Sequence, residues 1–153
     1  MITFKAVTES SIDALMSIES ACHSHPWTVK TMQSCLAGRY FNLAAFDDER
    51  MVGFYIGEKA GPDFTLMDIC VAPDCQGQGI AKQLLAEFIA YSKQHNAENL
   101  FLEVRETNVR AIKLYELAGF SEMSVRKNYY PSDDPNKNGF EDAILMGMTL
   151  LFA

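Results

Sequence analysis

The seventeen-residue stretch from Leu66 to Lys82, Leu-Met-Asp-Ile-Cys-Val-Ala-Pro-Asp-Cys-Gln-Gly-Gln-Gly-Ile-Ala-Lys, constrains this chain more than any other. An apolar run ends at Pro73, two glycines follow at 77 and 79, and a helical pattern of apolar residues begins at Ile80. The order predicts a strand, a tight turn and a helix start. Glycine lets the backbone turn sharply and approach a ligand closely, and the first turn of a helix carries unpaired N–H groups at the positive end of its dipole. Such a junction is an anion cradle.

Spacing separates the anion cradles from one another. A dinucleotide fingerprint, G-x-G-x-x-G, requires glycine where this chain has Lys82, and the nucleotide P-loop G-x-x-x-x-G-K-S/T is absent. What remains is Gln76-x-x-Gly79-x-Ala81, which resembles the Q/R-x-x-G-x-G/A signature of the GNAT superfamily of acetyl-CoA-dependent N-acetyltransferases. By itself this pattern also fits a glycine turn entering an ordinary surface helix.

The 153 residues suit a single domain, 1–153, with a substantial core. A hydrophobic fraction of 48% with 22% charged residues is that of a globular chain, neither disordered nor membrane-embedded. No secretory or membrane-spanning apolar run is visible, so a cytoplasmic monomer without a membrane partner is expected. The formal charge of -7 disfavours direct nucleic-acid binding and favours a basic partner. Cys22, Cys35, Cys70 and Cys75 lack C-x-x-C spacing and are expected as reduced, packed thiols. Cys22, His23 and His25 have no fourth ligand at customary spacing, so no metal is expected.

Along the chain, Ile2 to Val7 alternates as a strand, and Thr8 or Ser10 caps a helix bearing Ile12, Leu15, Met16 and Ile18 on one face. Thr28 caps a second, short helix that Gly38 stops. Tyr40 to Phe46, Met51 to Ile56 and Phe64 to Val71 read as a three-stranded meander, turned at Asp47 to Arg50 and Gly61-Pro62-Asp63. A helix from about Gln78 to His95 carries the apolar stripe Ile80, Leu84, Leu85, Phe88 and Ile89. The next strand, Asn99 to Arg105, puts Leu100, Leu102 and Val104 on one face and Phe101, Glu103 and Arg105 on the other. The strand, helix, strand crossover implies a parallel pair. A last helix ends at Ala118 before Gly119, and strands at Phe120 to Lys127 and Asp142 to Leu150 flank a turn-rich loop from Pro131 to Gly139. The fold class is α/β, a mixed central sheet of about seven strands flanked by about four helices.

The second half narrows the resemblance. The run from Leu102 to Phe120, Leu-Glu-Val-Arg-Glu-Thr-Asn-Val-Arg-Ala-Ile-Lys-Leu-Tyr-Glu-Leu-Ala-Gly-Phe, is similar to the L-E-V-R-x-x-N-x-x-A-I-x-L-Y-x-x-x-G-F block of the RimI family, which acetylates the N-terminal alanine of a small-subunit ribosomal protein. Asn128-Tyr129-Tyr130-Pro131 and Glu141-Asp142-Ala143 continue it. The resemblance implies a GNAT fold and acetyl-CoA as cosubstrate. The acceptor it implies is the N-terminus of a basic ribosomal protein, attacked directly in a ternary complex. It makes Glu103 the general base and Tyr115 the acid that protonates the coenzyme A thiolate. It also implies that Ile69, Cys70 and Val71 pair with pantetheine through their backbone, that Gly77, Gln78, Gly79, Ile80, Ala81 and Lys82 hold the pyrophosphate, and that Asn108 bonds the pantetheine arm. Trp27 and Tyr130 become walls of the peptide site.

Each residue also has a plainer reading. Glu103 also fits a solvated strand position, Tyr115 a core tyrosine, Asn108 a helix cap and Lys82 a solubilising surface lysine. A lysine or small-amine acceptor, or an acyl-CoA-binding module without turnover, are the rival functions. Departures from the family pattern are Gly77 where relatives often carry Arg, Ala81 in place of the last glycine, His25 where an aromatic often precedes Pro-Trp, and a longer loop from Ser132 to Gly139.

Overall fold

The computed structural model describes residues 1–150; the last three residues of the expected domain, 151–153, lie outside them. Strand β1 (Ile2–Lys5) is shorter than its apolar pattern, because the Asn42 side chain takes up the backbone of Val7, accepting its N–H at 2.8 Å and donating to its carbonyl at 3.0 Å. Thr8 accepts the Ser10 N–H and opens a short 3-10 turn into α1 (Ile12–Cys22), which buries Leu15, Ile18 and Glu19. Thr28 caps α2 (Val29–Ser34) by accepting the Thr31 N–H at 3.2 Å. The meander follows as β2 (Tyr40–Asp47), β3 (Arg50–Ala60) and β4 (Asp63–Val71).

Helix α3 runs from Ile80 to Gln94 and starts after the expected Gln78, because Gly79 is left-handed at φ 83° and stands outside the helix. Then come β5 (Asn99–Arg105), α4 (Val109–Ala118) with left-handed Gly119 as its stop, β6 (Ser121–Pro131) and β7 (Phe140–Thr149). The element order agrees with the sequence expectation. Strand β6 runs past Lys127 because a register shift between Arg126 and Tyr130 is absorbed at Asn128, which adopts φ 53°. The loop after β6 is tied at its base by the Ser132 N–H, which donates to the Gly139 carbonyl at 2.9 Å.

Among the described residues the seven strands form one sheet in the order β1-β2-β3-β4-β5-β7-β6, antiparallel everywhere except between β4 and β5. Leu100, Leu102 and Val104 of β5 are buried, as are Ile80, Leu84, Leu85 and Phe88 of α3. Period 2 and period 3.6 thus deliver apolar faces to the same core. A ring cluster of Phe41, Tyr55, Phe64, Phe88 and Tyr91 fills its centre, and a Cβ at Gly57 would run into the Phe41 ring. No helix among the described residues is long and apolar enough to cross a membrane.

Candidate active site

The parallel pair is the origin of the site. Strands β4 and β5 are in register only from Asp63 with Asn99 to Leu66 with Leu102, although β4 continues to Val71 and β5 to Arg105. Beyond that point β4 still pairs with β3 as far as Val71, and β5 with β7 as far as Arg105. The edges of Ile69 to Val71 and of Glu103 to Arg105 that face each other are therefore released, and a cleft of about 900 Å³ opens between them. Released strand edges offer backbone N–H and C=O groups to an extended ligand.

The glycine turn closes one end of this cleft. Gly77 and Gly79 both have φ 83°, and the Gln76 side-chain amide donates to the Val71 carbonyl at 3.1 Å, bracing the turn against the end of β4. The Gln83 N–H closes onto the Gly79 carbonyl at 3.1 Å, which leaves the N–H groups of Ile80, Ala81 and Lys82 outside the helical ladder. One guanidinium nitrogen of Arg110 lies 3.9 Å from where a Cβ on Gly77 would stand. Arg110 of α4 thus brings a cation beside position 77.

The side chains expected to react enter from β5, α4 and β6. Glu103 has 25% of its side chain exposed, and its carboxylate is 3.6 Å from the Arg126 guanidinium. Tyr115 is buried, with its ring edge against Phe120 at 6.2 Å. Burial, reinforced by the negative charge of Asp68, pushes its phenol above the ordinary tyrosine range, so it keeps its proton at neutral pH. Asn108 caps α4 through its side-chain oxygen, which accepts the Ala111 N–H at 3.2 Å. Tyr130 is pushed up to about 12 by burial and then by the Glu103 charge. Arg105 clamps it, with the guanidinium 4.6 Å from the ring centroid and a bond to the Pro131 carbonyl at 2.7 Å. The Asn128 bulge is held by Asp142, whose carboxylate accepts the Asn128 N–H at 3.0 Å.

A third group lies where α1 meets β4. The Trp27 N–H donates to Glu19 at 2.9 Å, while His23 Nε2 is 2.9 Å from Asp68 Oδ1 and 3.0 Å from Cys70 Sγ. Burial, with Asp68 alongside, raises Glu19 to about 8. Burial works against the charge on His23, but its bond to Asp68 raises the ring overall to about 9. The Cys70 hydrogen bond, against the effect of burial, lowers Cys22 to about 6.

Of the residues singled out in the sequence, Trp27, Ile69, Cys70, Val71, Gly77, Gly79, Ile80, Ala81, Lys82, Glu103, Asn108, Tyr115 and Tyr130 all line this one cleft. Gln78 does not; it is exposed between the two left-handed glycines. Sequence reasoning missed Arg110, Arg126, Glu19 and Asp68. Arg110 stands in the helical block without a pattern to mark it. Glu19 and Asp68 are joined to His23 and Cys70 by packing of α1 on β4, and no local spacing announces that.

The sequence profile of the acetyltransferase (GNAT) family matches residues 12–120. The ribosomal protein bS18-alanine N-acetyltransferase of Escherichia coli is 37% identical over 98% of this chain and 99% of its own length. The enzyme of the same name from Haemophilus influenzae is 35% identical over 98% and 100%. The crystal structure of the Escherichia coli ribosomal-protein-S18-alanine N-acetyltransferase superposes with a TM-score of 0.93 at 36% identity, covering 100% of this chain and 96% of that one. Arabidopsis thaliana NAA60 in complex with acetyl-CoA shares the fold, with a TM-score of 0.86 at 18% identity over 98% and 99% of the two chains. With the profile spanning most of its length and relatives above 30% identity end to end, the chain belongs to the GNAT family of acetyltransferases.

Proposed function

We propose that the protein transfers the acetyl group of acetyl-CoA to the α-amine of an N-terminal alanine on a small-subunit ribosomal protein. The observation that carries this reading is the parting of β4 from β5, which brings the glycine turn, Glu103 and Tyr115 onto one cleft. The names and near full-length coverage of the Escherichia coli and Haemophilus influenzae relatives support the acceptor. A ribosomal acceptor implies action in the cytoplasm.

The residues fit acetyl-CoA. The free edge of Ile69 to Val71 pairs with the amides of the pantetheine arm, and one of its N–H groups polarises the carbonyl to be attacked. The left-handed turn and the first N–H groups of α3 receive the pyrophosphate, with Lys82 and Arg110 adding charge. Asn108 contributes its NH2 group to the arm. Bound acetyl-CoA supplies the acetyl group as an activated thioester.

Glu103 takes the proton from the acceptor's ammonium, directly or through one water. An α-amine with a pKa near ~8 needs only a weak base, whereas a lysine near ~10.4 demands more. Tyr115, still protonated at working pH, gives its hydroxyl proton to the departing sulfur. Trp27 and Tyr130 wall the acceptor's first residues. The attack is direct, in a ternary complex. Cys70 is a poor nucleophile because burial, with Cys22 and Asp68 beside it, pushes its thiol far above the usual range.

The test is acetyl incorporation, followed by mass, into a peptide beginning with alanine and into one with a blocked N-terminus and an internal lysine. Transfer to the alanine peptide alone is expected. Transfer only to lysine moves the acceptor, and no transfer to either supports a binding module.

A further inference from the structure

Acetyl transfer leaves unused the cluster formed by Glu19, Cys22 and His23 of α1 with Asp68 and Cys70 of β4, which borders the acceptor end of the cleft. Single ligand atoms from Glu19, His23, Asp68 and Cys70 all lie within 4.8 Å of one another, and Cys22, His23 and Cys70 meet the same limit. The measured separations are 2.9 Å for His23 to Asp68, 3.0 Å for His23 to Cys70, 3.4 Å for Cys70 to Asp68 and 3.3 Å for Cys70 to Glu19. Tetrahedral zinc with bonds of about 2.0–2.3 Å holds its ligand atoms about 3.3–3.8 Å apart. The cluster needs only a slight outward breath to reach that geometry.

A second observation points to a cation independently. Oδ2 of Asp68 is buried with no hydrogen-bond partner, on a side chain that is only 5% exposed. A buried carboxylate oxygen without a donor is unfavourable, and a cation against it removes the deficit. The arrangement is also wrong for a nucleophilic relay. Such a relay needs the two ring nitrogens of histidine to serve different partners, whereas Cys70 and Asp68 both converge on Nε2 of His23. Convergence of sulfur and carboxylate on one imidazole nitrogen is what ligands around a common ion look like before the ion enters.

We propose that Glu19, His23, Asp68 and Cys70 bind one divalent ion of the zinc class at the acceptor end of the cleft. Glu19 reaches the ion through Oε1 while its second oxygen is anchored on the Trp27 N–H, and Cys22, which meets His23 and Cys70 but not Asp68 within the same limit, stands beside the site. A thiolate and an imidazole select zinc over magnesium or calcium, which prefer an all-oxygen shell. Access is from the cleft, since 38% of the His23 side chain is exposed.

The experiment uses the full chain, chelator-treated with thiols reduced, without acetyl-CoA or peptide, so its outcome is separable from that of the acetyl-transfer assay. Cobalt(II) is titrated in while the near-ultraviolet thiolate charge-transfer band and the visible bands of tetrahedral cobalt are followed, and zinc is then added as competitor. Saturation at one equivalent and displacement by zinc are expected. His23→Gln and Cys70→Ala should abolish the tetrahedral spectrum. Glu19→Gln should weaken cobalt binding about tenfold or more, while Cys22→Ser should keep the charge-transfer band. Cys35→Ser and Cys75→Ser should leave it unchanged. Circular dichroism reports folding; if Cys70→Ala does not fold, the reading rests on Glu19→Gln and His23→Gln. Absence of a thiolate band in the wild-type protein overturns the proposal, as does a band undiminished in the folded His23 and Glu19 variants.

Discussion

Glu103 and Tyr115 reach the cleft in different electrostatic states, and their replacements separate chemistry from packing. Glu103 is partly exposed and faces Arg126 at 3.6 Å, so Glu103→Gln keeps the shape and removes the charge proposed to accept the proton. A fall in kcat of about 10²-fold or more is expected, with the dissociation constant for acetyl-CoA almost unchanged in direct titration. An unchanged kcat removes Glu103 from its role. Tyr115 is buried against Phe120, and Tyr115→Phe retains that ring contact while deleting only the hydroxyl. Expected are a tenfold or larger loss of kcat, on the order of the general-acid contribution, and a stability change within about 1 kcal/mol by chemical denaturation. A large loss of stability with normal turnover makes the hydroxyl a packing group instead.

At the scale of elements, the glycine turn and the β6 bulge each orient one half of the site. Gly79 stands at φ 83° with open space around a hypothetical Cβ, so Gly79→Ala meets no neighbour but carries a left-handed penalty of about 1–2 kcal/mol. Relief of that strain tilts the first turn of α3, and KM for acetyl-CoA should rise severalfold while kcat at saturation changes little. Steady-state kinetics with each substrate varied checks the split. Asp142 holds the Asn128 N–H and the Lys127 ammonium, at 3.0 and 3.1 Å. Asp142→Ala should loosen the bulge that aims Tyr130, raising KM for the peptide and sparing that for acetyl-CoA; the reverse pattern rejects this role. What could be read before folding follows the same division. Alternation in Asn99 to Arg105 already put Glu103 opposite the apolar Leu100, Leu102 and Val104, and the glycines at 77 and 79 already marked the turn. The bulge was invisible, because Asn128 is left-handed without being glycine and lies in a polar run. The β4–β5 parting is a property of two segments in register, and the His23–Asp68–Cys70 cluster arises only when α1 packs on β4. Local patterns carry neither.

Over the whole molecule, charge and access bear on the choice of acceptor. A chain of net charge -7 attracts a basic acceptor through a long-range field, while the catalytic contacts act only within the cleft. The loop from 132 to 139 is held to the β5–α4 turn by Lys137, which donates to Glu106 at 2.7 Å. Screening separates the two contributions. The Debye length falls from about 30 Å at 0.01 M salt to about 10 Å at 0.1 M, which removes most attraction between exposed charges and leaves short contacts intact. With acetyl-CoA saturating, KM for a lysine- and arginine-rich peptide beginning with alanine should therefore climb severalfold over this range. A neutral peptide with the same first residue should respond weakly, and kcat should stay level for both. Because the two peptides share the alanine, an equal salt response would mean that the field plays no part and that recognition ends at the walls formed by Trp27 and Tyr130.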